Sequence, residues 1–433
     1  SRPPSAPPPA VRPPARRPPP PSAPPSSTAG AVIAPRLFDV VCAAAGLTPP
    51  PARRTPRGMS ETEPDVRAGA VIALRLFDVA YAIDLTRAEA LWAAQARASS
   101  RLRLTATPPK AMAFGVPPLT LALDPITFEL EGEAQSIGVT ARVYDFGAIS
   151  IALRVPVAGL RWVAFVQRLN SVDRTLGGNA SADLWARLLA QVHRPLAGAM
   201  ERPDKSTVEE DYLVGLVHAF DQPLTAAALQ QRVDLVPLLS GEQRALSDGA
   251  RQDLLRQRFS WYTDDLVVLT WDRAFIYEPR GDSDVLDVLE VANAQLLEMR
   301  YYDELLDAEL PRMYDLVESA RRTATLFASR RFAGLARGLY TQVAEVTELT
   351  ERIDNALQVT EDVYLARIYA AALELFRVPS VNAAVDRKLS IIRDTYTALH
   401  DEASARRAEL LELLVVVLIV IEVVLALIPL VRH

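Results

Sequence analysis

The sequence has little cysteine, lysine or histidine. Its single cysteine, Cys42, permits no intrachain disulfide and points to a reducing compartment. Lysine occurs only at Lys110, Lys205 and Lys388 among 47 basic residues, so arginine carries the positive charge. The four histidines, His193, His218, His400 and His433, have no second His or Cys at ligand spacing. Asp221, three residues after His218, reads as a surface pair. There is no GxxxxGK(S/T) loop, dinucleotide-binding glycine pattern, CxxC, HExxH or Gly-x-Ser-x-Gly, so the usual signatures of nucleotide, zinc and acyl-transfer chemistry are missing. Asp145-Phe146-Gly147 has the letters of the kinase triplet without its companion motifs, and a hairpin turn is expected there. No cofactor, metal ligand or catalytic residue is assigned.

Charge is scarce in one region and unbalanced overall. The formal net charge is −6, with +7 in residues 1–58 and −13 in the remainder. An acidic body argues against phosphate-directed contacts, so no direct DNA binding is expected. Glycine and proline become rare after Ser283, where only Gly334, Gly338, Pro311, Pro379 and Pro429 occur.

What is present divides the chain. Residues 1–57 hold eighteen of the 33 prolines, which predicts a disordered tail over 1–67. An Ala-Gly-Ala-Val-Ile-Ala-x-Arg-Leu-Phe-Asp-Val segment occurs at Ala29 and again at Ala68. Pro35 breaks the first copy, and translation is expected to begin near Met59.

Residues 68–282 read as a mixed or antiparallel small-sheet α+β domain. Strands are expected over Val71–Tyr81, Leu119–Leu123, Ile126–Leu130, Ile137–Tyr144, Ala148–Val155 and Val233–Leu239. Asp84 and Thr86 offer caps for a helix through Ala98, and Leu160–Gln191 is helical with a break at Gly177-Gly178. A second small antiparallel sheet is expected over Phe259–Tyr277. Residues 283–409 repeat apolar positions at three and four, predicting a coiled-coil-like helical stalk with a break at Pro379 and Ser380 as a cap. Within it, Arg300, Tyr301, Tyr302 and Asp303 are candidate packing or interaction residues, with Arg300 expected to pair with Glu304 or Asp303.

Residues 410–431 read as one C-terminal transmembrane helix. Sixteen of the nineteen residues from Leu413 to Val431 are Leu, Ile or Val. They would span roughly 28 Å. Leu413, Val417, Ile421, Leu425 and Ile428 mark the anchor, and Glu422 is its embedded acid, able to bond between chains. The expected protein is tail-anchored and integral to a membrane. Its bulk would face the cytoplasm at a bacterial inner membrane or, alternatively, lie at a mitochondrial inner membrane.

The runs Tyr262–Pro279, Asp284–Asp303 and Val143–Ile151, with Leu413–Ile428, resemble the YagE / required-for-meiotic-nuclear-division family. That resemblance implies a C-terminal membrane helix, homo-oligomerisation and support of translation through a ribosome or other protein partner. No catalytic residues come with it. A self-associating, membrane-anchored scaffold or tether is the expected function. The alternative is an enzyme with a pocket between the sheet and helical domains.

Overall fold

In the computed structural model the described residues are 63–95, 99–101, 112–114, 116–203, 208–281, 284–322, 357–359 and 363–431, with single helical positions at 334, 341, 343, 344 and 347. The Pro-rich tail through residue 62, the first repeat copy and Met59 lie outside them. So do most of residues 323–356, including Gly338. Residues 61–433 form one compact unit.

The strands are β1 (Asp65–Asp78), β2 (Ala80–Ile83), β3 (Ser99–Arg101), β4 (Met112–Phe114), β5 (Leu119–Leu130), β6 (Glu133–Val143), β7 (Ala148–Val157), β8 (Leu160–Arg161), β9 (Met200–Pro203), β10 (Glu209–Phe220), β11 (Gln257–Phe259), β12 (Leu266–Leu269), β13 (Arg273–Tyr277) and β14 (Leu357–Val359). The helices are α1 (Leu85–Ala93), α2 (Trp162–Leu176), α3 (Ala182–Leu196), α4 (Ala226–Arg232), α5 (Val236–Ser240), α6 (Asp248–Leu254), α7 (Val285–Arg322), α8 (Val363–Leu375) and α9 (Val378–Val431).

One ten-stranded sheet dominates, in the order β11-β12-β13-β10-β1-β7-β6-β5-β3, with β8 beside β1. Central β1 pairs antiparallel with β7 and β10. Its side chains alternate between two cores. Val71, Ala73 and Phe77 face α2 and α3, while Ala70, Ile72, Leu74 and Leu76 face α7, α8 and the start of α9. Burial on both faces explains why β1 reads as a nearly continuous apolar run.

The fold is therefore a mixed α+β architecture around one large sheet. It is not a small-sheet domain followed by a stalk and a transmembrane helix. The expected second sheet at 259–277 joins the first because β13 runs parallel to β10. The return crossover through α4, α5 and α6 makes that parallel pairing possible. Asp124-Pro125 does not end a strand. It lies at a register shift inside β5, in a stretch that, among the described residues, pairs only with β6. A proline is accommodated at such an irregularity, where its missing N–H need not break the ladder. Val233–Leu239 is not a strand either. Val236–Ser240 forms a short helix, with Val236 N–H donating to Asp234 Oδ1 at 3.0 Å and Gly241 ending it at φ 66°. A short apolar run has no period by which to tell helix from strand.

The helical break lies before Pro379. Helix α8 ends at Leu375, Arg377 takes φ 60°, and Pro379 sits in the first turn of α9, where a proline is tolerated. Ser380 is inside that helix and is not its cap.

Among the described residues no helix is long and apolar enough to cross a membrane. The expected anchor is corrected accordingly. The residues named for it lie on α9, a continuous 54-residue helix rooted in the body. Leu413, Val417 and Ile421 are exposed, and so is Glu422. Leu425 and Ile428 lie outside the residues whose side chains are described. Glu412 and Glu422 bracket nine apolar residues of that helix. That is about 14 Å of helix, against a hydrocarbon core of about 30 Å. The tail anchor, the integral-membrane partner and the membrane localisation that rested on it lose their support.

Candidate functional site

Helix α7 carries acids at Asp287, Glu290 and Glu298, spaced so that they fall on one face among apolar neighbours. That face lies against the sheet. Arg142 of β6 points to the same side and meets two of them, with Nη2 to Asp287 Oδ1 at 2.5 Å and Nη1 to Glu290 Oε2 at 2.7 Å. Tyr144 donates its hydroxyl to Glu290 Oε1 at 3.3 Å. Burial works against the Arg142 charge, but Glu290 and Asp287 outweigh it and raise its pKa. Burial raises Glu290 despite the opposing pull of Arg142, and burial followed by the Glu290 charge raises Tyr144.

Farther along α7, Tyr302 donates to Glu298 Oε2 at 3.3 Å. Glu298 is held well above the usual carboxylate range, first by burial and then by the charge of Asp78 at the end of β1. Burial and the same carboxylates raise Tyr302. These groups are perturbed and clustered, as in many active sites. Yet they fill the interface between helix and sheet, and none of them lines the clefts at residues 73–75 and 271–272, 230–235, or 241–244. Their chemistry is that of a closed polar clamp.

The four candidate packing residues all lie on α7, and their partners belong to the body. Arg300 pairs with Glu210 of β10 rather than with Glu304 or Asp303, because β10 passes within reach. Burial raises Glu210, and Arg300 opposes that shift. Tyr301 and Tyr302 meet edge to face at 5.2 Å between ring centres. Asp303 receives Lys388 of α9, its Oδ1 2.7 Å from Nζ, and Asp307 Oδ1 lies 2.6 Å from the same nitrogen. These two acids raise Lys388 against the effect of burial.

The remaining sequence candidates resolve as local structure. Asp145-Phe146-Gly147 is the β6–β7 turn, with Phe146 buried and Gly147 at φ 104°. The His218 ring Nδ1 lies 3.1 Å from the Glu278 carbonyl, and Asp221 Oδ1 accepts from the Asp65 N–H at 3.3 Å. Among the described residues no His, Cys, Asp or Glu group could hold a metal ion. Sequence reasoning missed Arg142, Glu290 and Glu298. For the two acids the signal was their helical spacing inside an apolar stripe, whereas nothing local marked Arg142.

The opposite face of the sheet carries a cleft of about 130 Å³ bounded by Arg75, Asp173, Trp185, Asp211, Tyr212, Trp271 and Asp272. Beside it, buried Arg273 donates to Asp173 Oδ2 at 2.6 Å, Asn170 Oδ1 at 2.6 Å and the Leu238 carbonyl at 2.9 Å. Burial raises Asp272, and Arg273 opposes this.

The third surface feature is α9 itself. From Leu413 to Ile421 every side chain is large, apolar and 48 to 61% exposed.

Comparison with known proteins gives one family. The model of the family described as "Uncharacterized protein MJ0711, N-terminal domain" matches residues 68–284. "Uncharacterized protein MJ0711" of Methanocaldococcus jannaschii is 26% identical over 194 residues, which is 45% of this chain and 58% of the relative. The match thus spans a little over half of that relative's length. No solved structure matches. The resemblance to the YagE / required-for-meiotic-nuclear-division family is corrected by this finding. Tyr262–Pro279 is the β12–β13 hairpin, and Asp284–Asp303 is an amphipathic helix laid on a sheet. Strings of that kind reflect burial periodicity, which unrelated families share. The chain belongs to the family of the MJ0711 N-terminal domain.

Proposed function

We propose that this protein is a scaffold that self-associates through the exposed apolar segment of α9. The observation that carries this reading is the run Leu413–Ile421, whose side chains are apolar and exposed on every face of the helix. A single stripe would call for one neighbouring groove. A helix apolar all round calls for neighbours on all sides. Identical helices from further copies supply them, since each presents the same surface to the others. The rod is also well anchored. Val385, Leu389 and Ile392 are buried against the core that includes α7, and Lys388 is clamped to Asp303 and Asp307. The closed character of the α7 clamp favours this reading over an enzyme with its pocket between sheet and helices.

The test is sedimentation velocity of the full chain against a Leu414→Glu, Val417→Glu, Leu418→Glu variant at micromolar concentration. The parent is expected to sediment as an oligomer and the variant as a monomer with unchanged circular dichroism. A monomeric parent overturns the proposal. So does a parent that stays monomeric while phospholipid vesicles take up the segment.

A further inference from the structure

The cleft beside Trp185 has a feature that packing does not explain. Arg75 of β1 is almost fully buried, and its guanidinium lies 5.1 Å from the centre of the Trp185 ring. Its polar contacts are long. Nη2 reaches the Gly178 carbonyl at 3.4 Å, Nη1 reaches Glu209 Oε1 at 3.6 Å, and Nε has no hydrogen-bond partner among the described residues. A buried guanidinium has five N–H donors, and leaving them poorly met is unfavourable. The natural complement is a carboxylate on two of those donors.

The rim of the cleft has the opposite sign. Asp173 is committed to Arg273 at 2.6 Å, whereas Asp272 accepts from the Thr270 hydroxyl at 3.1 Å and lies 3.8 Å from Arg273 Nε; Asp211 and Asp272 both line the cleft, and Trp271 beside them is 72% exposed. A simple anion would be repelled by those acids, and a simple cation by Arg75. A molecule carrying both charges meets neither objection. The cleft volume of about 130 Å³ leaves room for a ligand of the size of glycine or alanine.

We propose that this cleft binds a small zwitterion of the amino-acid class, with its carboxylate on Arg75 and its ammonium between Asp211, Asp272 and the face of Trp271. Exposed Trp271 adds a cation–π contact to that ammonium. The site is separate from the α9 segment and does not depend on self-association.

The experiment uses the full chain with glycine, L-alanine, acetate and methylamine as probes, read by thermal unfolding and titration calorimetry. Glycine or alanine is expected to raise the unfolding temperature with concentration, and acetate and methylamine to do so far less. The paired Asp211→Asn, Asp272→Asn variant is expected to bind the amino acid at least about tenfold more weakly with unchanged circular dichroism, and Arg75→Lys to weaken it similarly. If Arg75→Lys fails to fold, the Asp211, Asp272 pair decides. Absence of any shift at millimolar amino acid, acetate binding as well as glycine, or undiminished binding by the Asn pair each overturns the proposal.

Discussion

At the scale of single residues, the charges that matter most are those hidden beneath α7. Glu298 has a raised pKa in the folded protein because burial and Asp78 disfavour its charge. As pH rises past the ordinary carboxylate value of about 4.3, the unfolded chain loses this proton before the native chain does. The native state then binds more protons, so this group makes stability fall as pH rises toward its folded value. Glu298→Gln is expected to remove that fall and to gain on the order of 1–2 kcal/mol near neutral pH. Urea midpoints at about pH 5 and about pH 8 measure it, and an unchanged pH slope would refute the assignment. Arg142 acts in the opposite sense. Arg142→Ala strands Glu290 and Asp287 at a buried interface and is expected to cost about 3–5 kcal/mol. Gly147 is constrained by space as well as by its φ of 104°, since a Cβ there would lie 1.7 Å from the Ala80 carbonyl oxygen. Gly147→Ala is expected to cost about 3 kcal/mol in equilibrium unfolding.

At the scale of elements, α9 is held to the body by two kinds of contact with different worth. Lys388 bridges Asp303 and Asp307 near the surface, where such pairs contribute about 1 kcal/mol or less. Ile392 is fully buried in the core that includes α7, and Ile392→Ala is expected to cost about 2–5 kcal/mol. Lys388→Met should therefore shift the urea midpoint much less than Ile392→Ala. A reversed order would mean that the ion pairs, not the packing, attach α9. Helix α7 shows why element-level reading ran short. Its 3–4 apolar spacing was legible, whereas the identity of the surface it meets was not. The same periodicity serves a coiled-coil stalk and a helix lying on a sheet.

At the scale of the whole molecule, the compact unit begins at Glu61. A chain beginning there is expected to keep its unfolding temperature to within about 2 °C, as measured by calorimetry. A larger loss would place part of the stability in the preceding sixty residues.

The sequence alone determined the features that depend on neighbours in the chain. Gly177-Gly178 parts α2 from α3, Asp84 accepts from the Thr86 and Arg87 N–H groups at 3.0 Å, and Asp145-Phe146-Gly147 turns between strands. In each case the cause is local: a backbone that only glycine eases, or a side chain that caps its own helix. Tertiary structure alone decided the rest. That β13 lies parallel to β10, that Arg142 meets acids 145 and more residues away, and that α9 continues unbroken from the core into its exposed apolar run are outcomes of long-range pairing. An apolar period specifies that a face must be covered. Which surface covers it is settled by what the folded chain brings within reach.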